Sequence, residues 1–262
     1  MNLQPAIRKK RIMEELALSG KVEILDLVNL MNVSAMTIRR DLDELEKQKK
    51  LIRTHGGAAL PQAIIGEQTY EEKLSAAHPQ KQEIAKIAAS LVKDGMRILL
   101  DSGTTTLEIA KLLKTKTNLT IVTNDIKIAA ELIDSKVEVI LLGGRLQNGV
   151  GAVLGSYTEE MLQNIHVDIL FLGAHAVHHK LGITSATFEK ATVKKKMIDA
   201  SEIVYLTVDS QKFGKKAFAK IAGIDSITGI ITDHLISKDV ESIYSEKSTF
   251  IKEGNDEGRD NR

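Results

Sequence analysis

Two stretches of this chain carry residue types whose spacing could do chemistry: the adjacent pair Arg39 and Arg40, and Asp101-Ser-Gly-Thr-Thr-Thr106. A guanidinium offers several donors in a rigid fork, which suits phosphate oxygens and guanine edges. In the second stretch Gly103 permits close backbone approach. Ser102, Thr104, Thr105 and Thr106 supply hydroxyls there, and a helix starting at that point would turn unpaired N–H groups toward an anion. Neither the GK[ST] of a triphosphate loop nor the GxGxxG of a dinucleotide site is present, so a sugar phosphate is a better expected ligand than ATP or NAD. General acid–base chemistry needs a positioned carboxylate or histidine. Asp101 and His175 could serve, but Asp101 is read as orienting its loop, and no catalytic residue is assigned. His175, His178 and His179 cluster without an acidic or cysteine partner at ligand spacing, so no metal and no cofactor are expected.

The arginine pair needs an element that turns it outward. Ser34 can cap a helix over the following residues, in which Ile38, Leu42 and Leu45 form one apolar stripe. Met36, Arg39, Arg40, Asp43 and Lys47 then fall on the opposite, wet side. Upstream, Ile24, Leu27, Val28 and Met31 recur at helical spacing, and Asn32 can take the left-handed conformation of a tight turn. Helix, short turn and capped basic helix make a DNA-reading unit. A preceding helix is expected from Pro5 to about Leu18, stopped by Gly20, with Ile7, Ile12, Leu16 and Leu18 as its apolar contacts. Arg8, Lys9, Lys10 and Arg11 are read either as phosphate contacts or as a solvated run. Leu51-Ile-Arg-Thr-His-Gly-Gly-Ala58 reads as a β-type wing that brings Arg53 and His55 near a duplex backbone.

The hydroxyl run needs a strand before it and a helix after it. Beyond the linker, helices alternate with short β-rich runs at residues 96–100, 119–122, 137–142, 168–172 and 203–208, which implies a largely parallel sheet with crossover helices. Ligands in such sheets bind beyond the strands' carboxyl ends. There the chain places Asp101 to Thr106, Thr123-Asn124-Asp125, Gly143-Gly144-Arg145, Gly173-Ala-His175 and Asp209-Ser-Gln-Lys-Phe-Gly214. Lys212 could pair with a phosphate or carboxylate, and Lys194 could do the same from a helix, although Lys194-Lys-Lys196 reads more readily as a solvated face. The expected organisation is a winged helix-turn-helix over 1–58, a linker over 59–79 with a short helix near Tyr70, an α/β domain over 80–251, and a disordered tail over 252–262.

Composition sets the outer bounds. The 262 residues are 43% hydrophobic and 27% charged, ordinary globular values, with a net charge of only +1. Residues 1–57 hold 11 Lys and Arg against 8 Asp and Glu, so any pull on nucleic acid is local. The absence of cysteine excludes a disulfide framework and thiolate chemistry. No signal peptide or long apolar run is present, so a cytoplasmic protein without membrane contact is expected.

The segment VSAMTIRRDLDELEKQKKLIRTHGGA resembles the N-terminal signature of the DeoR family of bacterial sugar-metabolism regulators, with turn, TIRRDL core and RTHGGA wing in order. DSGTTTLEIAKLL, VTND, LLGGRL, FLGAH and VDSQKFG are similar to the family's sensor half, whose fold is related to ribose-5-phosphate isomerase, so the resemblance spans nearly the whole chain. It implies an α/β protein: an N-terminal winged helix-turn-helix followed by a largely parallel sensor domain. It also implies operator DNA as partner, bound through Ser34, Met36, Thr37, Arg39, Arg40, Arg53 and His55, and a phosphorylated sugar as effector. Ser102 to Thr106 would hold the phosphate, with Asp101, Thr123, Asn124, Gly143, Gly144, Gly173 and Lys212 lining the remaining pocket. One departure stands out: many members carry an acidic residue where this chain has His175, which removes a carboxylate able to move protons and leaves the identity of the sugar open. A repressor assembling as a homodimer or homotetramer is expected, since paired winged helices read two half-sites. The alternatives are an isomerase-like enzyme with a DNA-binding arm, or an activator with the same sensor.

Overall fold

The computed structural model describes residues 4–19, 21–48, 50–54, 56–59 and 70–252. The chain divides into two units, Met1–Ala63 and Ile64–Arg262. In the first, helices α1 (Pro5–Ser19), α2 (Ile24–Met31) and α3 (Ala35–Lys47) accompany strands β1 (Lys21–Glu23), β2 (Ile52–Arg53) and β3 (Gly57–Ala59). Ser34 caps α3, its Oγ accepting from the Thr37 N–H at 3.2 Å. Asn32 takes the left-handed conformation at φ 49°, which lets the chain turn directly from α2 into α3. Ile38, Leu42 and Leu45 pack with Ile24, Leu27 and Met31 into one core, together with Ile12 and Leu16 of α1. The three strands form an antiparallel sheet in the order β1-β3-β2, a winged helix-turn-helix. At Gly57 any side chain is excluded, because a Cβ would lie 1.8 Å from the Val22 carbonyl oxygen across the β1–β3 pair.

Three expectations for this unit change. Ile7 is 53% exposed and makes no core contact. Strand β1, absent from the sequence reading, completes the wing sheet. Arg8 is buried and forks onto Asp41 of α3, through Nε to one carboxylate oxygen and through Nη2 to the other at 2.9 Å, so it braces α1 to α3 and is neither a phosphate contact nor part of a solvated run. Lys9 is likewise engaged, 2.8 Å from Glu44 Oε2. His55, Gly20 and the Leu18 side chain lie outside the described residues.

The second unit runs α4 (Tyr70–Ser75), α5 (His78–Ser90), β4 (Arg97–Leu100), α6 (Thr104–Leu113), β5 (Thr120–Thr123), α7 (Ile126–Leu132) and β6 (Glu138–Leu141). There follow β7 (Arg145–Leu146), β8 (Val153–Leu154), α8 (Ser156–Gln163), β9 (Val167–Leu172), β10 (Ala176–His178), β11 (Gly182–Ser185) and α9 (Phe188–Asp199). The unit ends with β12 (Ser201–Thr207), β13 (Ala219–Ala222), β14 (Gly229–Ile231), α10 (Lys238–Ser245) and β15 (Thr249–Ile251). Seven strands form one parallel sheet in the order β15-β14-β12-β9-β4-β5-β6. Successive side chains alternate between its faces. Leu99, Leu170, Leu172 and Leu206 therefore enter one core, and Ile98, Leu100, Ile169 and Phe171 enter the other. Burial on both faces is why these strands read as continuous apolar runs.

Strand β4 lies inside the sheet between β9 and β5, and Asp101 to Thr106 follow its carboxyl end into α6. A small antiparallel sheet, β10-β11-β13, and the β7–β8 hairpin were not anticipated. Helix α4 and the start of α5 fall within the stretch read as linker, while residues 60–69 lie outside the described residues. Of the expected tail only Lys252 is described, and it pairs with Glu241 at 2.6 Å. No helix among the described residues is long and apolar enough to cross a membrane.

Candidate DNA-reading face and anion pocket

On α3 the cap and the apolar stripe together fix which side faces solvent. Met36 is 71% exposed, and Arg39 and Arg40 are exposed beside it. Arg40 approaches Glu44 only at 3.9 Å, leaving its guanidinium available. Ser34 and Thr37 interlock their hydroxyls at 2.9 Å, so their first task is to shape the helix start. Arg53 does not project outward. Its Nε lies 3.3 Å from Asp43, its Nη1 donates to the Gly57 carbonyl at 3.3 Å, and its backbone N–H donates to Glu46, which together tie the wing to α3.

In the α/β unit the loop after β4 faces a concavity of about 1040 Å³, open to solvent. Ser102 to Thr106 and Gly173 to His175 line it, with the Thr207 to Asp209 segment and Lys212. An adjoining hollow shares Ser102, Gly103, Thr104 and His175, and adds Asn124, Asp125, Tyr70 and Lys190. The hydroxyls differ in what they are free to do. Thr106 is buried and donates to the carbonyls of Asp101 and Gly103 at 2.6 and 2.9 Å, so it holds the loop. Thr105 is half-buried and its hydroxyl makes no hydrogen bond among the described residues. Ser102 donates through Oγ to Asp125 at 2.6 Å and through its N–H to Asn124 at 3.0 Å. Asn124 also donates to the Val153 carbonyl at 3.1 Å and clamps the β4 and β5 loops together. Gly103 has extended backbone, φ 173°, so no strain demands glycine there; a Cβ would sit 3.4 Å from Thr106 Oγ1.

Charge in the concavity is lopsided. Lys73, Lys81, Lys194, Lys212 and Lys215 line it against Asp209, while Asp101 faces the adjoining hollow. Lys194 is buried and pairs with Asp101 Oδ2, which also accepts the Gly173 N–H at 2.8 Å. The expectation of a solvated Lys194 is thereby overturned: α9 turns Lys190 and Lys194, one helical turn apart, inward with Val193 and Met197. Desolvation holds the Lys81 ammonium below its ordinary pKa, and the Lys212 charge adds to the effect against the pull of Asp209. Desolvation and then Lys212 lower Lys215 as well. Burial raises the Asp125 carboxyl, against the hydrogen bonds from Ser102 and the Lys127 N–H. The Lys212 ammonium makes no hydrogen bond or ion pair among the described residues, though its backbone N–H donates to the Asp209 carbonyl at 3.0 Å.

Three of the residues expected at the ligand are placed elsewhere. Gly143 and Gly144 open onto a separate depression beside Tyr157 and Met161. Gly144 has φ +148°, and a Cβ there would fall 2.6 Å from the Leu154 carbonyl oxygen, a structural reason for that glycine. Thr123 is fully buried, donating to the Leu100 carbonyl at 2.8 Å and accepting from the Asp125 N–H. The sequence reading missed Tyr70, Lys73, Lys81, Lys190 and Lys215. For Lys81 a signal existed, because it opens the stripe continued by Ile84, Ala85 and Ala88.

A winged helix with an exposed basic helix, followed by a separate parallel α/β unit with a cationic pocket, defines the helix-turn-helix regulator class. Residues 8–63 match the DeoR-like helix-turn-helix domain, and residues 76–234 match the DeoR C terminal sensor domain. The chain belongs to the DeoR family. It is 35% identical over 235 residues, covering 88% of this chain and 87% of the relative, to a putative aga operon transcriptional repressor of Escherichia coli O157:H7. It is 36% identical over 225 residues, 86% of each chain, to the HTH-type transcriptional repressor GlcR of Bacillus subtilis. Among solved structures, ribose 5-phosphate isomerase a of Methanocaldococcus jannaschii aligns with a TM-score of 0.40 and 19% identity, over 53% of this chain and 55% of its own.

Proposed function

We propose that this protein is an operator-binding repressor of a carbohydrate-metabolism operon, assembled as a dimer or tetramer, whose DNA affinity is set by a phosphorylated sugar in the concavity beyond β4. One observation carries the reading: five lysines against Asp209 line a concavity around a loop whose Thr105 hydroxyl is unspent and whose following helix starts at Thr104. The N-terminus of α6 and the cationic lining favour a dianion, and the adjoining hollow with Asn124, Asp125 and His175 offers partners for sugar hydroxyls. The names of the relatives above fit repression of sugar operons. An enzymatic reading gains nothing from Asp101, whose Oδ2 is occupied by Lys194 and the Gly173 N–H.

A thermal-shift screen of sugar phosphates against the unphosphorylated sugars tests this. A ligand at about 100 times its Kd adds roughly 2.7 kcal/mol, a shift expected for phosphorylated members alone. Equal shifts from both sets, or none from either, would refute the reading.

A further inference from the structure

Helix α4 is six residues long and buries none of them. Apart from Tyr70, packed half-buried at the edge of a core cluster, polar contacts hold it to the α/β unit. The Lys81 ammonium donates to the carbonyls of Lys73 and Ala76, the latter at 2.6 Å. Thr104 Oγ1 reaches the Lys73 carbonyl at 3.4 Å, and Lys127 Nζ lies 2.9 Å above the Tyr70 ring centroid. Carbonyls at a helix C-terminus lack partners within the helix, so Lys81 meets a need α4 cannot meet itself. An ammonium has three donors. Two are spent on α4, and the same side chain, 5% exposed, lines the concavity with the Gly103 to Thr106 loop.

We propose that Lys81 couples occupancy of the concavity to the docking of α4, through an anion–ammonium–carbonyl chain. The proposal rests on the sugar-phosphate reading for its ligand. An anion beside Lys81 polarises the ammonium and strengthens both of its bonds to α4, because linked hydrogen bonds reinforce one another. In sequence, residues 60–69 join the winged helix to α4. Lys81 is thus a positioning residue as well as a wall of the pocket.

The test is amide hydrogen exchange over residues 70–77 of the full chain, with glucose 6-phosphate, fructose 1-phosphate and inorganic phosphate as probes at millimolar concentration. In the wild type, a probe that raises Tm is expected to slow exchange there about 5-fold or more, the lower end of ordinary coupling. Lys81→Met should exchange fast with or without that probe, even at probe concentrations raised to offset its weaker binding, and Lys81→Arg, which keeps the cation, should retain the slowing. Lys81→Gln replaces the Met variant if the latter does not fold. Wild-type slowing that persists in Lys81→Met overturns the proposal, as does a probe that raises wild-type Tm without slowing 70–77. If no probe raises wild-type Tm, the sugar-phosphate reading fails. Exchange without ligand then decides the docking role: equal rates in wild type and Lys81→Met overturn it, and faster exchange in the variant supports it.

Discussion

Thr105 and Thr106 are neighbours with opposite assignments, and substitution separates them. Thr106→Val leaves the Asp101 carbonyl without its hydroxyl donor in a buried place, while the Gly103 carbonyl keeps the Leu107 N–H, and the loss should cost about 1–3 kcal/mol of stability. Thr105→Val deletes a hydroxyl with no internal partner. Its stability should stay within about 0.5 kcal/mol, while sugar-phosphate affinity drops about tenfold or more, the worth of a hydrogen bond to a charged group. Denaturant melts paired with ligand titrations check both; a Thr105 variant with unaltered affinity would remove that hydroxyl from the site. At the other unit, Arg40→Ala should leave the fold intact. If Arg40 reads a guanine, discrimination at one base pair should relax by about 1–3 kcal/mol; if it holds a phosphate, affinity should fall evenly across sequences and the salt slope should shrink. Unchanged operator affinity at several salt concentrations would exclude both. The exposed face of α3 was legible because its cap and stripe are local patterns. Lys194 was not, because three consecutive lysines look alike in sequence, and only the packing of α9 singles one out for Asp101.

Among the elements, α1 and α3 are joined by more than apolar contacts. Removing Arg8 strands the Asp41 carboxylate in a buried position, so Arg8→Met should destabilise the winged helix by about 3 kcal/mol. Calorimetry of the full chain should show one transition lowered; an unchanged profile would mean the brace is dispensable. Just past the carboxyl end of β14, His234 Nδ1 lies 2.7 Å from Glu83 Oε2, linking that loop to α5. That hydrogen bond, and then the Glu83 charge, raise the His234 pKa above its ordinary 6.5. The stabilisation is fully present below the unfolded pKa and is lost as pH rises through the raised folded value. Titration by NMR should show His234 returning to its ordinary range in Glu83→Gln; no movement would mean the pair does not form in solution. The parallel strands were legible as apolar runs, since the sheet is covered on both faces. Strand β1 and the β10-β11-β13 sheet were not, because runs of three or four residues leave no periodicity to read.

For the whole molecule, the proposed function assigns DNA reading to one unit and anion sensing to the other, and regulation requires the two to be linked in free energy. A ligand can shift operator affinity only by its differential affinity for the DNA-competent arrangement. Reciprocity then fixes a second quantity without further assumption: operator must change effector affinity by the same factor, typically about 5–150-fold. Assembly belongs to this scale as well, because two winged helices are needed to read two half-sites. The most direct test is therefore a titration of operator affinity by fluorescence anisotropy, with and without the sugar phosphate that shifts Tm, at one fixed salt concentration. The account predicts weaker operator binding at saturating effector, the same factor when effector binding is measured on the operator complex, and loss of the response at ordinary effector concentrations in Thr105→Val. Operator affinity indifferent to a sugar phosphate that demonstrably occupies the pocket would contradict it.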